Sequence, residues 1–193
     1  IKTYTFKRGD YVVGVRHEVV NQSGALVKPR LYLQLVRDGN PPAGESSFYF
    51  TFTGPAVYTD ASKFRKVDFS DIEKGKVDID KSAQDGWVGM VQQYFTSAWL
   101  LPPNTPREFR AAKVSDNLYS IAMVQTLPAL AAGASHKVDA QLYAGPQEEH
   151  KLAAIAPGLE LVKDYGWFTI LAKPLFWLLD QLHKLIGNWG WAI

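Results

Sequence analysis

The chain has 193 residues, with 21 Lys and Arg against 19 Asp and Glu, a formal net charge of +2, no Cys and 6 Trp. That length fits one large domain, or a domain with an appendage, and is ample for a two-layer hydrophobic core. The balanced charge argues against a dedicated nucleic-acid binder, which needs a basic excess to neutralise phosphates, and the lack of Cys removes disulfides, thiol catalysis and thiolate metal sites.

From Ile1, which stands without an initiator Met or a basic and apolar leader and so reads as the start of a processed or excised piece, to about Lys163 the pattern is that of strands. Tyr11, Val13, Val15, His17 and Val19 alternate with smaller or charged residues, the period of two that marks a half-buried strand. Further strands are expected over Leu31 to Val36, Phe48 to Thr53, Phe64 to Phe69, Trp87 to Tyr94, Glu108 to Val114, Leu118 to Gln125 and Lys137 to Tyr143. Turn signals such as Asn21-Gln22-Ser23-Gly24, Asp38-Gly39-Asn40-Pro41-Pro42 and Asp85-Gly86 separate them. Many short strands without alternating long helices predict a mainly β protein, an antiparallel sandwich rather than a parallel α/β fold.

One short helix is expected between Gly145-Pro146 and Pro157-Gly158, with Glu148 and Glu149 near the positive end of its dipole. The C-terminal segment differs in kind. Lys173-Pro174 opens a predicted helix that runs through Ile186 and closes at Gly187-Asn188. Leu175, Leu178, Leu179, Leu182, Leu185 and Ile186 form a broad apolar stripe, widened by Phe176 and Trp177, with Lys173, Asp180, Gln181 and Lys184 opposite. The apolar run is too short and too interrupted by charge to cross about 30 Å of hydrocarbon. Four of the six Trp, at 167, 177, 189 and 191, cluster here, and such amphipathic rings settle at membrane–water boundaries. The segment reads as a helix lying in the membrane interface, with Trp167, Leu175, Phe176, Trp177, Leu178, Leu182, Leu185, Trp189 and Trp191 as its membrane-facing residues. Amphipathicity alone fits a helix docked on its own β domain equally well.

The sequence offers no catalytic constellation. His17 and Glu18 point to opposite faces of a strand, as do His136 and Asp139, and His17 reads as a packed, hydrogen-bonded histidine. His150 has no second His one turn away, and His183 sits beside Lys184 on the terminal helix, so no metal site emerges. There is no Gly-x-Ser-x-Gly elbow and no Gly-rich phosphate loop. Asp78 and Asp80 read as a solvated row on a strand. Lys63, Phe64, Arg65 and Lys66 form a small basic and aromatic patch diluted by Asp60, Asp68 and Asp71. No cofactor, metal ligand or nucleic-acid partner is expected.

Longer motifs carry a resemblance. Thr3-Tyr4-Thr5-Phe6-Lys7-Arg8-Gly9-Asp10-Tyr11, Gly86-Trp87-Val88-Gly89-Met90-Val91-Gln92-Gln93-Tyr94-Phe95 with Ala98-Trp99, and Tyr143-Ala144-Gly145-Pro146 resemble the large periplasmic domain of the YidC family of bacterial inner-membrane insertases. Ala153-Ala154-Ile155-Ala156-Pro157, Asp164-Tyr165-Gly166-Trp167, Pro174-Leu175-Phe176 and Gly187-Asn188-Trp189-Gly190 continue it in the same order, and the stretch from Asn21 to Lys81 matches least.

The resemblance implies an antiparallel β-supersandwich at 1–164 and, at 165–193, an amphipathic interfacial helix leading into the next transmembrane segment. It also implies a place on the periplasmic face of the bacterial inner membrane, within a multi-pass protein whose insertase groove lies beyond Ile193. The expected role is non-catalytic support of insertion and folding of inner-membrane proteins. The expected partners are the Sec translocon with its accessory periplasmic subunits, nascent membrane proteins, and the bilayer surface through the terminal helix. Because supersandwich domains also resemble sugar-binding and mutarotase-like domains, the alternative is a carbohydrate-binding periplasmic domain, which requires an aromatic cleft with a convergent His/Glu pair.

Overall fold

The computed structural model describes residues 1–42, 51–163 and 169–192. The described chain forms β1 (Lys2–Thr5), β2 (Val12–Val20), β3 (Arg30–Asp38), β4 (Gly54–Thr59), β5 (Lys63–Lys66), α1 (Phe69–Glu73), β6 (Ser82–Ala83), β7 (Trp87–Val91), β8 (Phe95–Leu100), β9 (Arg107–Ser115), β10 (Leu118–Thr126) and β11 (Ser135–Pro146). These are followed by α2 (Glu149–Ile155), a 3₁₀ turn (Leu159–Val162), α3 (Thr169–Ile186) and α4 (Trp189–Ala192).

Two antiparallel sheets result. The larger has the order β1-β2-β11-β8-β7-β4-β5 and the smaller β3-β10-β9-β6. The expected fold class is therefore present: mainly β, antiparallel and built of two layers. Val15, Val57, Val88, Met90, Trp99 and Val138 from the larger sheet meet Leu31, Leu33, Phe109, Ile121 and Met123 from the smaller to form the core between the sheets. Trp99 also ties the layers by hydrogen bonding, its indole N–H donating to the Gln34 carbonyl on the edge strand β3 at 3.1 Å.

The larger sheet is covered on its second face as well. Ala56, Tyr58, Trp87, Val91, Ala98, Leu100 and Tyr143 pack there beneath Leu152 of α2 and Leu159 and Val162 of the 3₁₀ turn. As a consequence every residue of β4 and β7 is buried. A strand buried on both faces loses its polar alternation, and this is why the reading from sequence misplaces β4. The strand expected over Phe48 to Thr53 falls partly on residues 43–50, outside the described residues, and 51–53 precede the strand that begins at Gly54.

Other differences are local. The run expected over Trp87 to Tyr94 is the whole of one strand and the turn of a hairpin, with β7 stopping at Val91 and β8 starting at Phe95. The run over Phe64 to Phe69 ends at Lys66, and Phe69 opens α1, whose Ile72 packs with Val67 and Tyr119 in a small satellite core. Asp78 and Asp80 lie outside any strand. Asp80 instead accepts hydrogen bonds from the hydroxyls of Thr59 and Ser62 and so holds the β4–β5 turn. Those two hydrogen bonds, Thr59 first, keep the Asp80 carboxyl below the usual carboxylate range.

Candidate functional site

The helix α3 is one turn longer at its start than the placement of proline suggests, so Pro174 lies inside it rather than at its opening. Proline has no N–H, so the helix passes this point without the usual bond back to the carbonyl four residues earlier. From Pro174 onward the helix presents two distinct sides. Phe176, Leu179, Asp180, Leu182 and His183 are half-buried, whereas Leu175, Trp177, Leu178, Leu185 and Ile186 are exposed, Leu185 at 84% and Trp177 at 63%.

The half-buried side is mixed, with Phe176, Asp180 and His183 beside Leu179 and Leu182. The Lys163 ammonium stands 4.0 Å from the Phe176 ring centroid, a cation–π contact. The Asp180 carboxylate lies 2.7 Å from Lys184 on its own helix and 4.0 Å from His150 Nε2 on α2. The hydrogen bond from Lys184 holds the Asp180 carboxyl below its usual range, opposed by desolvation and aided by the charges of Lys184, His150 and His183. Spacings of three and four residues place Leu175, Leu178, Leu182, Leu185 and Ile186 on one stripe, most of which turns away from the sheets.

Of the nine residues expected at a membrane interface, Leu175, Trp177, Leu178, Leu185 and Trp191 are exposed, while Phe176 and Leu182 are half-buried. Phe176 sits on the domain-facing side, under Lys163. Trp177 projects about a quarter-turn from the leucine stripe. Trp189 lies in α4, and Trp167 falls outside the described residues. No described helix is long and apolar enough to cross a membrane.

A separate cleft of about 490 Å³ opens beside the β4, β7 and β8 ends, lined by Tyr58, Asp60, Asp85, Trp87, Pro102 and Arg107 among others. Its most unusual member is Arg107, a buried guanidinium whose donors all go to backbone carbonyls. Nε donates to Thr105, Nη1 to Gly86 and Leu101, and Nη2 to Gln84 and Pro102. Burial lowers its pKa to about 10, with the Asp85 charge opposing. An arginine committed in this way is a clamp on the 101–107 loop rather than a ligand donor.

Neither His nor Glu lines the cleft, and Tyr58 and Trp87 are both buried, so neither ring offers an open face to a sugar. The convergent pair that a carbohydrate site requires is not found among these lining residues. Among the described residues, no three His, Asp or Glu side chains gather as metal ligands would. His17 is half-buried in β2, and its Nδ1 is buried without a hydrogen-bond partner, unlike the satisfied histidine expected.

A two-sheet antiparallel sandwich followed by the long helix α3, with most of its apolar stripe outward, is a β module with an amphipathic helical appendage. The chain belongs to the YidC periplasmic domain family, whose model matches residues 1–178. It is 55% identical over 193 residues to the membrane protein insertase YidC of Janthinobacterium sp. (strain Marseille), covering the whole of this chain and 34% of that protein. It is likewise 55% identical to the YidC insertase of Cupriavidus taiwanensis, with 34% of that protein covered, and 54% identical to that of Burkholderia cenocepacia, with 35% covered. The chain thus spans about a third of the length of these relatives.

Proposed function

We propose that this chain is the periplasmic module of an inner-membrane protein insertase, and that α3 lies on the membrane surface and holds the β sandwich there. The sandwich at 1–164 and the helical segment at 165–193 are the two working parts. The role is one of support: the module positions the membrane-embedded insertase for nascent membrane proteins and gives the Sec translocon and its accessory periplasmic subunits a surface to meet. No chemical step is assigned to it.

The observation that carries this reading is the orientation of α3. A helix that used the β domain as its only apolar partner would turn its leucines inward. Here Phe176 and Asp180 face the domain, and Leu175, Leu178, Leu185 and Ile186 face out. Fully burying a leucine or isoleucine is worth about 1.5–3 kcal/mol. The Asp180–Lys184 pair adds little against this, since its lysine stays in water. The unburied stripe therefore dominates, and an apolar phase beside it would recover that energy.

The test replaces Trp177, Leu178 and Leu182 with Asp. Partitioning of the chain onto lipid vesicles is expected to fall on the order of 100-fold, and the same changes in the full-length insertase are expected to impair membrane-protein insertion in cells. If vesicle partitioning and complementation are both unchanged, the interfacial role of α3 is wrong.

A further inference from the structure

The end of the larger sheet from which α2 departs carries a second exposed aromatic surface, separate from α3. The β7–β8 turn places Tyr94 and Phe95 there, 67% and 57% exposed. The β1–β2 connection adds Phe6 and Tyr11, both exposed. Large rings at turns are ordinarily covered, and a group of four on one end of a sheet indicates a contact surface.

The backbone around these rings is firmly built. Gln147 donates its N–H to the Tyr94 carbonyl at 2.9 Å and its side-chain amide to the carbonyls of Gln92 and Phe95 at 2.7 and 3.3 Å. Tyr11 lies edge-on to Tyr143, with centroids 6.5 Å apart, and packs so closely over Gly145 that a Cβ there would fall 2.6 Å from its ring. Between Tyr11 and Phe95 lies a hollow of about 330 Å³. The rings are thus held outward on a stiff frame.

Two further facts identify what meets this surface. Lys7 and Arg8 project from the same β1–β2 connection, and neither has an ion-pair partner among the described residues. Asp10, the acidic residue of that connection, is engaged with the Val12 N–H. In addition, the surface adjoins α3, because Gln147 leads directly into α2, whose His150 lies 4.0 Å from Asp180. Aromatic rings flanked by unpaired cations, beside a helix with an outward apolar stripe, match an anionic lipid surface: rings at headgroup level, cations against phosphates.

We propose that the Phe6, Tyr11, Tyr94 and Phe95 end of the sandwich is a second lipid contact, selective for anionic headgroups, that fixes the tilt of the domain on the membrane. This deepens the reading of α3 as an interfacial helix and rests on it for the position of the membrane. One helix alone leaves the sandwich free to rock about the helix axis, and a second contact removes that freedom.

The chain has no Cys, so a single introduced thiol can carry an environment-sensitive fluorophore. Labels at Tyr94→Cys and, separately, at Leu178→Cys are compared on phosphatidylcholine vesicles with and without phosphatidylglycerol, with spin-labelled lipid as quencher. The expected result is a blue shift and lipid quenching at position 94 that need phosphatidylglycerol. Lys7→Glu with Arg8→Glu is expected to lower partitioning about tenfold and to abolish the response at 94 while leaving the label at 178 in lipid.

A label at 94 that stays aqueous while the one at 178 enters lipid overturns the second contact and leaves α3 untouched. A lipid response at 94 without one at 178 upholds the second contact and overturns the reading of α3. Silence at both sites overturns both. Protection at 94 in native membranes without lipid quenching assigns the surface to a protein and overturns the proposal.

Discussion

The indole N–H of Trp87 donates to the carbonyl of Pro157 at 3.0 Å, joining the interior strand β7 to the bend between α2 and the 3₁₀ turn. Trp87 also stacks on Tyr58, with ring centroids 6.0 Å apart and planes 9° from parallel. Gly158, next to Pro157, is left-handed at φ 72°, and a Cβ there would fall 2.1 Å from the Tyr58 ring. Tyr58, Trp87 and the Pro157-Gly158 pair, distant in sequence, thus form one joint, the one that roofs the outer face of the larger sheet.

That joint is directly testable. Trp87→Phe keeps most of the packing but leaves the Pro157 carbonyl without its donor, and should cost about 1–2 kcal/mol. Gly158→Ala adds both left-handed strain and a collision with a ring that is itself packed, and should cost more, about 2–4 kcal/mol. Urea unfolding at constant slope measures both. A neutral Gly158→Ala would contradict the close approach of Tyr58.

Arg107 offers the sharpest stability test. Its buried guanidinium satisfies five carbonyls, Gly86 next to Trp87 among them. Arg107→Met should therefore cost about 3–5 kcal/mol by leaving those oxygens unpaired, as happens when one partner of a buried polar network is removed. For a chain of this size, this lowers the melting temperature by roughly 6–20 °C. Arg107→Lys, with three donors on a flexible stem, should recover only part of the loss. An Arg107→Lys variant as stable as the native chain would mean that charge, not the fork of donors, is what matters.

His17 gives the pH dependence. Burial lowers its pKa from the ordinary 6.5, helped by the Lys2 charge. The folded form therefore favours the neutral ring, and its contribution to stability is present above pH 6.5 and declines as pH falls below it toward the folded pKa. Melting temperature should drop between pH 7 and pH 5.5 in the native chain and drop less in His17→Phe. An identical slope in the two would assign the pH dependence to other groups.

Much of the architecture is legible in particular residues. The alternation through Val13, Val15 and Val19 names the face that enters the core, and the structure buries or half-buries those residues against it. The strands β9, β10 and β11 follow from β-branched and aromatic runs bounded by turns, and the leucine spacing announces α3. By contrast, β4 opens with Gly54-Pro55, which reads as a turn, and is buried on both faces, so no period marks it. The hairpin inside Trp87 to Leu100 is hidden because its turn, Gln92-Gln93-Tyr94, contains no Gly, Pro, Asn or Asp to mark it.

The site divides along the same line. Local spacing determined that 174–186 is an amphipathic helix, and the collinear motifs determined the family, since both are properties of neighbouring residues. Which way the leucine stripe points was a tertiary matter, settled by the Phe176 and Asp180 contacts with Lys163 and His150. The same holds for the five-carbonyl clamp of Arg107 and for the placing of Tyr11 and Phe95 at one end of the sheet, because each depends on residues distant in sequence or on the crossing of loops. Periodicity records which side of an element is apolar; only packing decides what that side is given to touch.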